Sequence, residues 1–437
     1  MDVAVQAALI LFIGVAFLLI IGAPISISVG VASALAMFTL LEMDNGALTS
    51  AQRMFTGMNS FTLLAIPFFI LAGVIMNNGG IAIRLVNCAK VLSGRLPGSL
   101  AHTNVVANML FGSISGSGVA AAAAVGGTMT PLQEKDGYDK HFSAAVNIAS
   151  APAGMLIPPS NTLIVYSLIS GGTSISALFM AGYIPGILWG LSCMIVAFLY
   201  ARKMGYKSEA RVTFKQALLV FLDAIPSLLL IVIVIGGIIG GVFTATEGSA
   251  IAVVYSLLLS FVYRTIKVKD LPRILLESTK TTSIVIFLIG VSSVMSWVMS
   301  FTNIPGIIAD LLLGFTDNMI VILLIMNIVL LIVGTFMDPT PAVLIFTPIF
   351  LPIALSFGID PVHFGIIVVF NLSIGTITPP VGPVLFVGTK IANLRIENVI
   401  RPLMPFFIAT IVVLMFITYI PELSMKLPEL FDLVTPK

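Results

Sequence analysis

Ser113, Ser115 and Ser117 stand among glycines in Phe111–Gly118, FGSISGSG, within a stretch that is otherwise apolar and runs on through Val119–Val125. Hydroxyls at that spacing, together with backbone carbonyls released from a helix, are oxygen ligands of the kind a hard cation such as Na+ takes. The release is expected, because each glycine costs a helix interior about 1 kcal/mol relative to alanine. The same device returns at Gly334–Pro341, GTFMDPTP, with one acid, Asp338, set in it. Two further interruptions carry paired prolines: Ala151–Asn161, APAGMLIPPSN, and Gly375–Pro383, GTITPPVGP. Each pair removes two N–H donors and exposes carbonyls of the preceding turn.

The elements around these breaks belong to a membrane protein. Of 437 residues, 58% are hydrophobic and 9% charged, and the mean hydropathy is +1.13, outside the range of soluble domains. Apolar runs predict spans near 3–21, 24–41, 58–77, 141–170, 178–200, 217–243, 247–263, 281–301 and 402–420. Irregular backbone persists at membrane depth only when buried in protein or lining a watery cavity. The glycine-rich breaks therefore predict two re-entrant hairpins, near 98–131 and 319–356, while the proline pairs interrupt a helix near 141–170 and another near 362–390. Asp2 sits where a signal peptide carries Lys or Arg, and no small-residue cleavage site follows Ile21, so the first span is expected to be retained.

Orientation follows from charge. Segments 84–95, 135–140, 202–215, 264–280 and 390–401 hold 18 of the 21 Lys and Arg, leaving Arg53, Lys426 and Lys437 opposite. The positive-inside rule makes the first set cytoplasmic and places both termini outside. The chain also repeats itself. Gly137–Phe142, GYDKHF, returns as Gly358–Phe364, GIDPVHF, with one residue inserted. Thr130-Pro131 returns as Thr347-Pro348, Pro158-Pro159 as Pro379-Pro380, and Gly112 as Gly334, all offset by about 220 residues. With five crossings and one hairpin per half, the second copy is upside down, an architecture shared by many secondary transporters. The expected halves are 1–215 and 216–437.

Four short helices should thus start near the middle of the protein, with Asp338 before Pro339 and Thr378 before Pro379 in the cap-then-proline order. Their N-termini suit a carboxylate, and the exposed oxygens suit Na+. The anion-facing set is Ser117, Gly118, Ser160, Asn161, Thr340, Thr378 and Pro379. The Na+ set is Ser113, Ser115, Gly116, Gly154 and Pro158 in the first half, and Gly334, Thr335, Asp338, Gly375, Thr376 and Gly382 in the second. Two alternatives stand beside this assignment. Serines also bond back to helix carbonyls, and an acid at a helix start serves as an N-cap as well as an ion ligand.

Other residues carry little chemistry. Cys88 and Cys193 are far apart in apolar surroundings and read as packing residues, and the three histidines, His102, His141 and His363, fall near segment ends and read as interfacial. Trp189 and Trp297 read as packing or belt residues, and Glu247 as structural. There is no metal-ligand spacing, no GxxxxGK[ST] loop and no base placed beside a serine, which excludes ATP hydrolysis and serine hydrolysis. No nucleic-acid partner is expected. An ion channel is the competing class, but a channel needs one lined pore rather than two opposed hairpins.

With these motifs in hand, the chain resembles the large membrane subunit of tripartite ATP-independent periplasmic (TRAP) transporters, essentially end to end. The resemblance is carried by SISGSG (Ser113–Gly118), LIPPSN (Leu156–Asn161), GVFTATEGSA (Gly241–Ala250), MDPTPA (Met337–Ala342), GIDPVHFG (Gly358–Gly365) and TPPVG (Thr378–Gly382). It implies an all-α elevator-type fold, a multi-pass location in a bacterial inner membrane, and Na+-coupled import of an organic acid. It also implies two partners, a small four-helix membrane subunit and a periplasmic binding protein. Relatives for C4-dicarboxylates often read TPPVGLN where Pro383 and Val384 stand here, and GTITPPVG looks more like the N-acetylneuraminate branch. Ala120–Ala124 is barer than in many relatives, leaving the second arm of the first hairpin few side chains for a substrate.

Overall fold

The computed structural model describes residues 3–94, 96–206 and 213–434. Asp2, Arg95, Lys207, Arg211 and Lys437, used above for the signal-peptide and charge readings, lie outside the described residues. Among those described there are twenty α-helices and no strand. Eight helical segments are long and apolar enough to cross a membrane, and three shorter apolar helices accompany them.

α1 (Val3–Ile20) and α2 (Ile25–Leu40) pack against each other, and α3 (Met43–Met58) follows. A 3-10 turn at Phe61–Leu64 leads into α4 (Ala65–Asn78), then α5 (Ile81–Ser93). α6 (Ser99–Ser115) and α7 (Gly118–Lys135) form the first hairpin, and α8 (Lys140–Ser150), a 3-10 turn and α9 (Asn161–Ile169) form the first broken helix. α10 (Ile175–Met204) closes the first half. The second half runs α11 (Phe214–Ile239), α12 (Ala245–Val262), α13 (Leu271–Phe301) and α14 (Ile304–Phe315). The second hairpin is α15 (Met319–Phe336) and α16 (Pro339–Ser356), and the second broken helix is α17 (Pro361–Gly375) and α18 (Pro383–Ile391). α19 (Ile396–Tyr419) and α20 (Glu422–Leu430) end the described chain.

The repeat motifs do the same local work twice. Gly137 and Gly358 turn at φ +76° and +74°, where a side chain would be strained. Asp139 then caps α8 by accepting the Phe142 N–H at 2.8 Å, and Asp360 caps α17 by accepting the Val362 N–H at 2.8 Å. Packing is reciprocal as well. α2 lies on α13 and α4 on α12; α7 lies on α18 and α16 on α9; α8 lies on α19 and α17 on α10. Such exchanged pairing is what a two-fold relation between halves produces.

Buried amides tie each hairpin to its broken helix. Asn108 of α6 donates to Asn104 Oδ1 at 2.9 Å and to Ser150 Oγ at 2.8 Å. Asn371 of α17 donates to Asn327 Oδ1 of α15 at 2.7 Å, and Asn327 donates to Thr418 Oγ1 at 3.0 Å. In an apolar medium, breaking such a pair leaves an uncompensated polar group.

Several side chains sit elsewhere than expected. His102 and His363 are not interfacial: they are buried, 1% and 3% exposed, because they lie on helix faces that pack inward. His363 Nδ1 meets Ser424 Oγ at 2.6 Å, and of the three only His141, near Asp139 at 3.6 Å, is not buried. Trp189 is a packing residue, buried with its indole N–H donated to Ala149 O at 2.8 Å. Cys88 and Cys193 are buried free thiols. Glu247 is structural, closing a capping box by accepting the Thr244 N–H at 2.8 Å.

Candidate functional site

Two close backbone contacts set the positions of the hairpin tips. A Cβ on Gly112 of α6 would come 2.4 Å from Gly154 Cα, and one on Gly375 would come 2.3 Å from the Gly334 carbonyl carbon. Glycine at all four positions lets α6 touch the first broken helix and α15 touch the second. Both contacts lie just before a tip, so both tips are carried on a broken helix.

At the first tip, Gly116 adopts φ +61°, and the point where its Cβ would lie is 2.9 Å from Pro159 O and 3.3 Å from Asn161 N. Ser117 then starts α7 by accepting the Ala120 N–H at 3.3 Å. At the second tip, Asp338 starts α16 by accepting the Thr340 N–H at 3.4 Å, and the residue borders the cavity described below. The second break is cradled likewise. The Cβ position of Gly382, φ +26°, lies 2.8 Å from Thr378 O and 3.0 Å from Thr376 O, and the Val381 N–H donates to Thr335 O at 3.2 Å. Pro158-Pro159 and Pro379-Pro380 are both cis.

A cavity of about 500 Å³ lies where these parts meet. Ser115, Gly116, Ser117, Gly118, Asn161, Asp338, Thr340 and Thr376 all line it, so the structure brings together eight of the residues selected from the sequence. Gly154, Gly334 and Gly375 form the backbone contacts behind it, and Pro158, Thr335 and Gly382 lie in or beside the two breaks. Ser160 is committed to its own turn, donating to Met155 O at 2.5 Å and accepting the Leu163 N–H at 3.4 Å. Ser113 turns away: its hydroxyl donates to Leu110 O at 2.8 Å, and it lines a smaller void with Phe69 and Leu230.

Thr378 corrects an expectation. It does not start a helix, and Pro379 is not the first residue of one. The Thr378 hydroxyl donates back to Ile374 O at 2.8 Å, and α18 begins only at Pro383, after Gly382. The reason is the turn between them, in which Thr376 O accepts the N–H groups of Val384 at 3.1 Å and Leu385 at 3.3 Å. Neither Thr378 nor Pro379 lines the cavity.

The cavity's chemistry is mixed. Asn161 Oδ1 is buried without a hydrogen-bond partner, an acceptor left for a cation or a donor group. Among the described residues there is no cluster of His, Cys, Asp and Glu that could hold a transition metal. The oxygens here are carbonyl, hydroxyl and amide, with the carboxylates of Asp338 and Glu277 beside them, a hard-oxygen donor set that fits a cation such as Na+. Sequence reasoning missed the opposite contributors, Asn77 of α4 and Glu277 and Thr281 of α13. Glu277 falls in the basic segment 264–280, just before the span predicted from 281, and an acid at the foot of a long apolar run is the available signal.

Two hairpins and two broken helices converging on one cavity in a multi-pass helical protein form the build of a secondary transporter. The chain belongs to the family described as tripartite ATP-independent periplasmic transporter, DctM component, whose model matches residues 12–423. It is 58% identical to the Salmonella typhimurium protein described as uncharacterized protein YgiK, over 97% of both chains. It is 37% identical to the Vibrio cholerae sialic acid TRAP transporter large permease SiaM, over 95% of this chain and 96% of that one. It is 41% identical to the Oleidesulfovibrio alaskensis isethionate TRAP permease DctMQ, covering 95% of this chain but 65% of that longer one. Among solved structures, the Alcanivorax borkumensis YdaH transporter shares the fold, with a TM-score of 0.64, 13% identity and coverage of 87% of this chain and 89% of that one.

Proposed function

We propose that the protein is the membrane-embedded large permease of a Na+-coupled importer for a small organic anion, with N-acetylneuraminate as the first substrate to test. The carrying observation is the cavity in which both hairpin tips and both breaks meet. Na+ held by carbonyls and hydroxyls at the tips orders them, which forms the anion site between the starts of α7, α9 and α16. The halves 1–215 and 216–437 are an inverted pair, and the hairpins with their broken helices move as one body against the remaining helices. A periplasmic binding protein delivers substrate, and a small four-helix membrane subunit joins the assembly. GTITPPVG supports N-acetylneuraminate. A C4-dicarboxylate or another sugar acid is the alternative, and the similar identities to an isethionate permease (41%), a C4-dicarboxylate permease (40%) and the sialic acid one (37%) support testing isethionate beside them.

Uptake of radiolabelled N-acetylneuraminate, isethionate and succinate into proteoliposomes containing the complete assembly tests this. One monoanion is expected to accumulate only with Na+ outside, and faster with an inside-negative potential, which contributes about 2.3 kcal/mol per net charge per 100 mV. Na+-independent uptake sinks the coupling. Full activity from this chain alone sinks the tripartite assembly.

The basic segments make the α4–α5 and α12–α13 ends cytoplasmic. Asn77 and Glu277, at the ends of α4 and α13, then form a cytoplasmic rim of the cavity. A cysteine replacing exposed Lys267 should resist a membrane-impermeant thiol reagent in intact cells, whereas one replacing exposed Asp44 should react, in a background lacking Cys88 and Cys193. The reverse pattern overturns the orientation.

A further inference from the structure

The cavity proposed to carry an anion has an unexpected charge balance. Asp338 and Glu277 line it, and among the described residues no Lys, Arg or His does. Glu277 comes from the second turn of α13, a helix outside the hairpins and broken helices, packed chiefly on α2, α3 and α4 and less on α16. Its carboxylate is exposed and has no hydrogen bond or ion pair among the described residues. Among the described residues no ion pair ties it to the basic residues one turn away. Arg273, one turn earlier, donates to Asn78 Oδ1 at 3.2 Å, and Arg273 and Lys280 both lie outside the lining.

We infer that Glu277 is a specificity-determining residue of the cytoplasmic face: a fixed carboxylate at the cavity rim that weakens anion binding there and strengthens Na+ binding there. This rests on the transport reading above. In that reading the anion site moves away from α13 when the cavity opens outward, so Glu277 acts on one face only. Repulsion at the rim speeds release of the anion into the cytoplasm and hinders its return, while the same charge retains Na+ at the mouth. A unit charge acting across the several ångströms of a wet cavity changes affinity by about three- to tenfold. A carboxylate with a merely structural role would not move anion and cation affinities in opposite directions.

The test is transport from each face of oriented proteoliposomes containing the full assembly, using whichever of radiolabelled N-acetylneuraminate, isethionate or succinate the wild-type assembly carries fastest. Glu277→Gln is expected to lower the cytoplasmic half-saturation concentration for the anion about fivefold and to raise that for Na+ about fivefold. Both shifts should shrink as choline chloride raises the ionic strength, and Glu277→Asp should restore wild-type values. In a Glu277→Cys variant, a negatively charged methanethiosulfonate should return both constants toward wild type, and a positively charged one should drive them further away. Because the two reagents act on one folded protein, a folding defect cannot mimic that result. Shifts of equal size on both faces, shifts in the same direction for anion and Na+, or unchanged constants in an active Glu277→Gln assembly overturn the inference. Failure of the wild-type assembly to carry any anion overturns the transport reading instead, and this inference with it.

Discussion

Gly375→Val is expected to reduce Na+-dependent uptake at least tenfold while the protein remains in the membrane. A Cβ there meets the Gly334 carbonyl carbon at 2.3 Å and its Cα at 2.4 Å. Both obstructing atoms are backbone, so no side chain can rotate out of the way, and α15 must part from α17. Overpacking of this kind costs about 1–3 kcal/mol, and the displacement falls on the tip that carries Asp338 and on the Val381-to-Thr335 hydrogen bond. Gly112→Val should act the same way on the first tip through Gly154. Gly127→Ala is the control, since no described atom beyond its chain neighbours and its own helix backbone lies within 4 Å of the added Cβ. Uptake is measured beside membrane abundance and copurification with the small subunit. Normal abundance with normal uptake would show that the tips tolerate displacement, and the helix contacts would then be packing alone.

The hairpins were readable in the sequence because their cost is local. Glycine and serine in Phe111–Gly118 and an acid before proline at Pro339 are poor helix interiors whatever surrounds them. The predicted hairpins at 98–131 and 319–356 accordingly match helices spanning Ser99–Lys135 and Met319–Ser356 closely. Where tertiary packing decides, the sequence was less informative. α5 buries Ile81, Ala82, Leu85, Val86 and Ala89 on one face, an amphipathic pattern that a search for long apolar runs passes over. The span predicted from 281 begins ten residues after the helical start of α13 at Leu271, because charged residues fill its first turns, and Glu277 lies in that stretch. Thr378 failed for a different reason. Its cap-then-proline order matches Asp338–Pro339, but the chain spends Ile377–Val381 in a turn before a helix can restart. The buried histidines failed because nearness to a segment end says nothing of which helix face points inward.

Asp338→Asn is expected to raise the half-saturating Na+ concentration for uptake about tenfold, equivalent to about 1.4 kcal/mol, the scale of one unit charge near a cation in a partly wet site. The substitution separates two roles that Asp338 combines in this fold. Its Oδ1 accepts the Thr340 N–H at 3.4 Å and so starts α16, while the residue also lines the cavity. Asparagine caps a helix as well as aspartate does, so the start of α16 and the packing behind it should persist. Only the charge is lost. Copurification with the small subunit should therefore be unchanged, and at saturating Na+ the maximal rate should fall much less than the Na+ affinity. Asp338→Ala removes both roles and should add the cost of a lost cap, about 1 kcal/mol, visible as a lower melting temperature that Asp338→Asn does not share. If Asp338→Asn leaves the Na+ activation curve where it was, the aspartate only starts a helix, and the coupling cation is held by the carbonyls and hydroxyls of the tips without it.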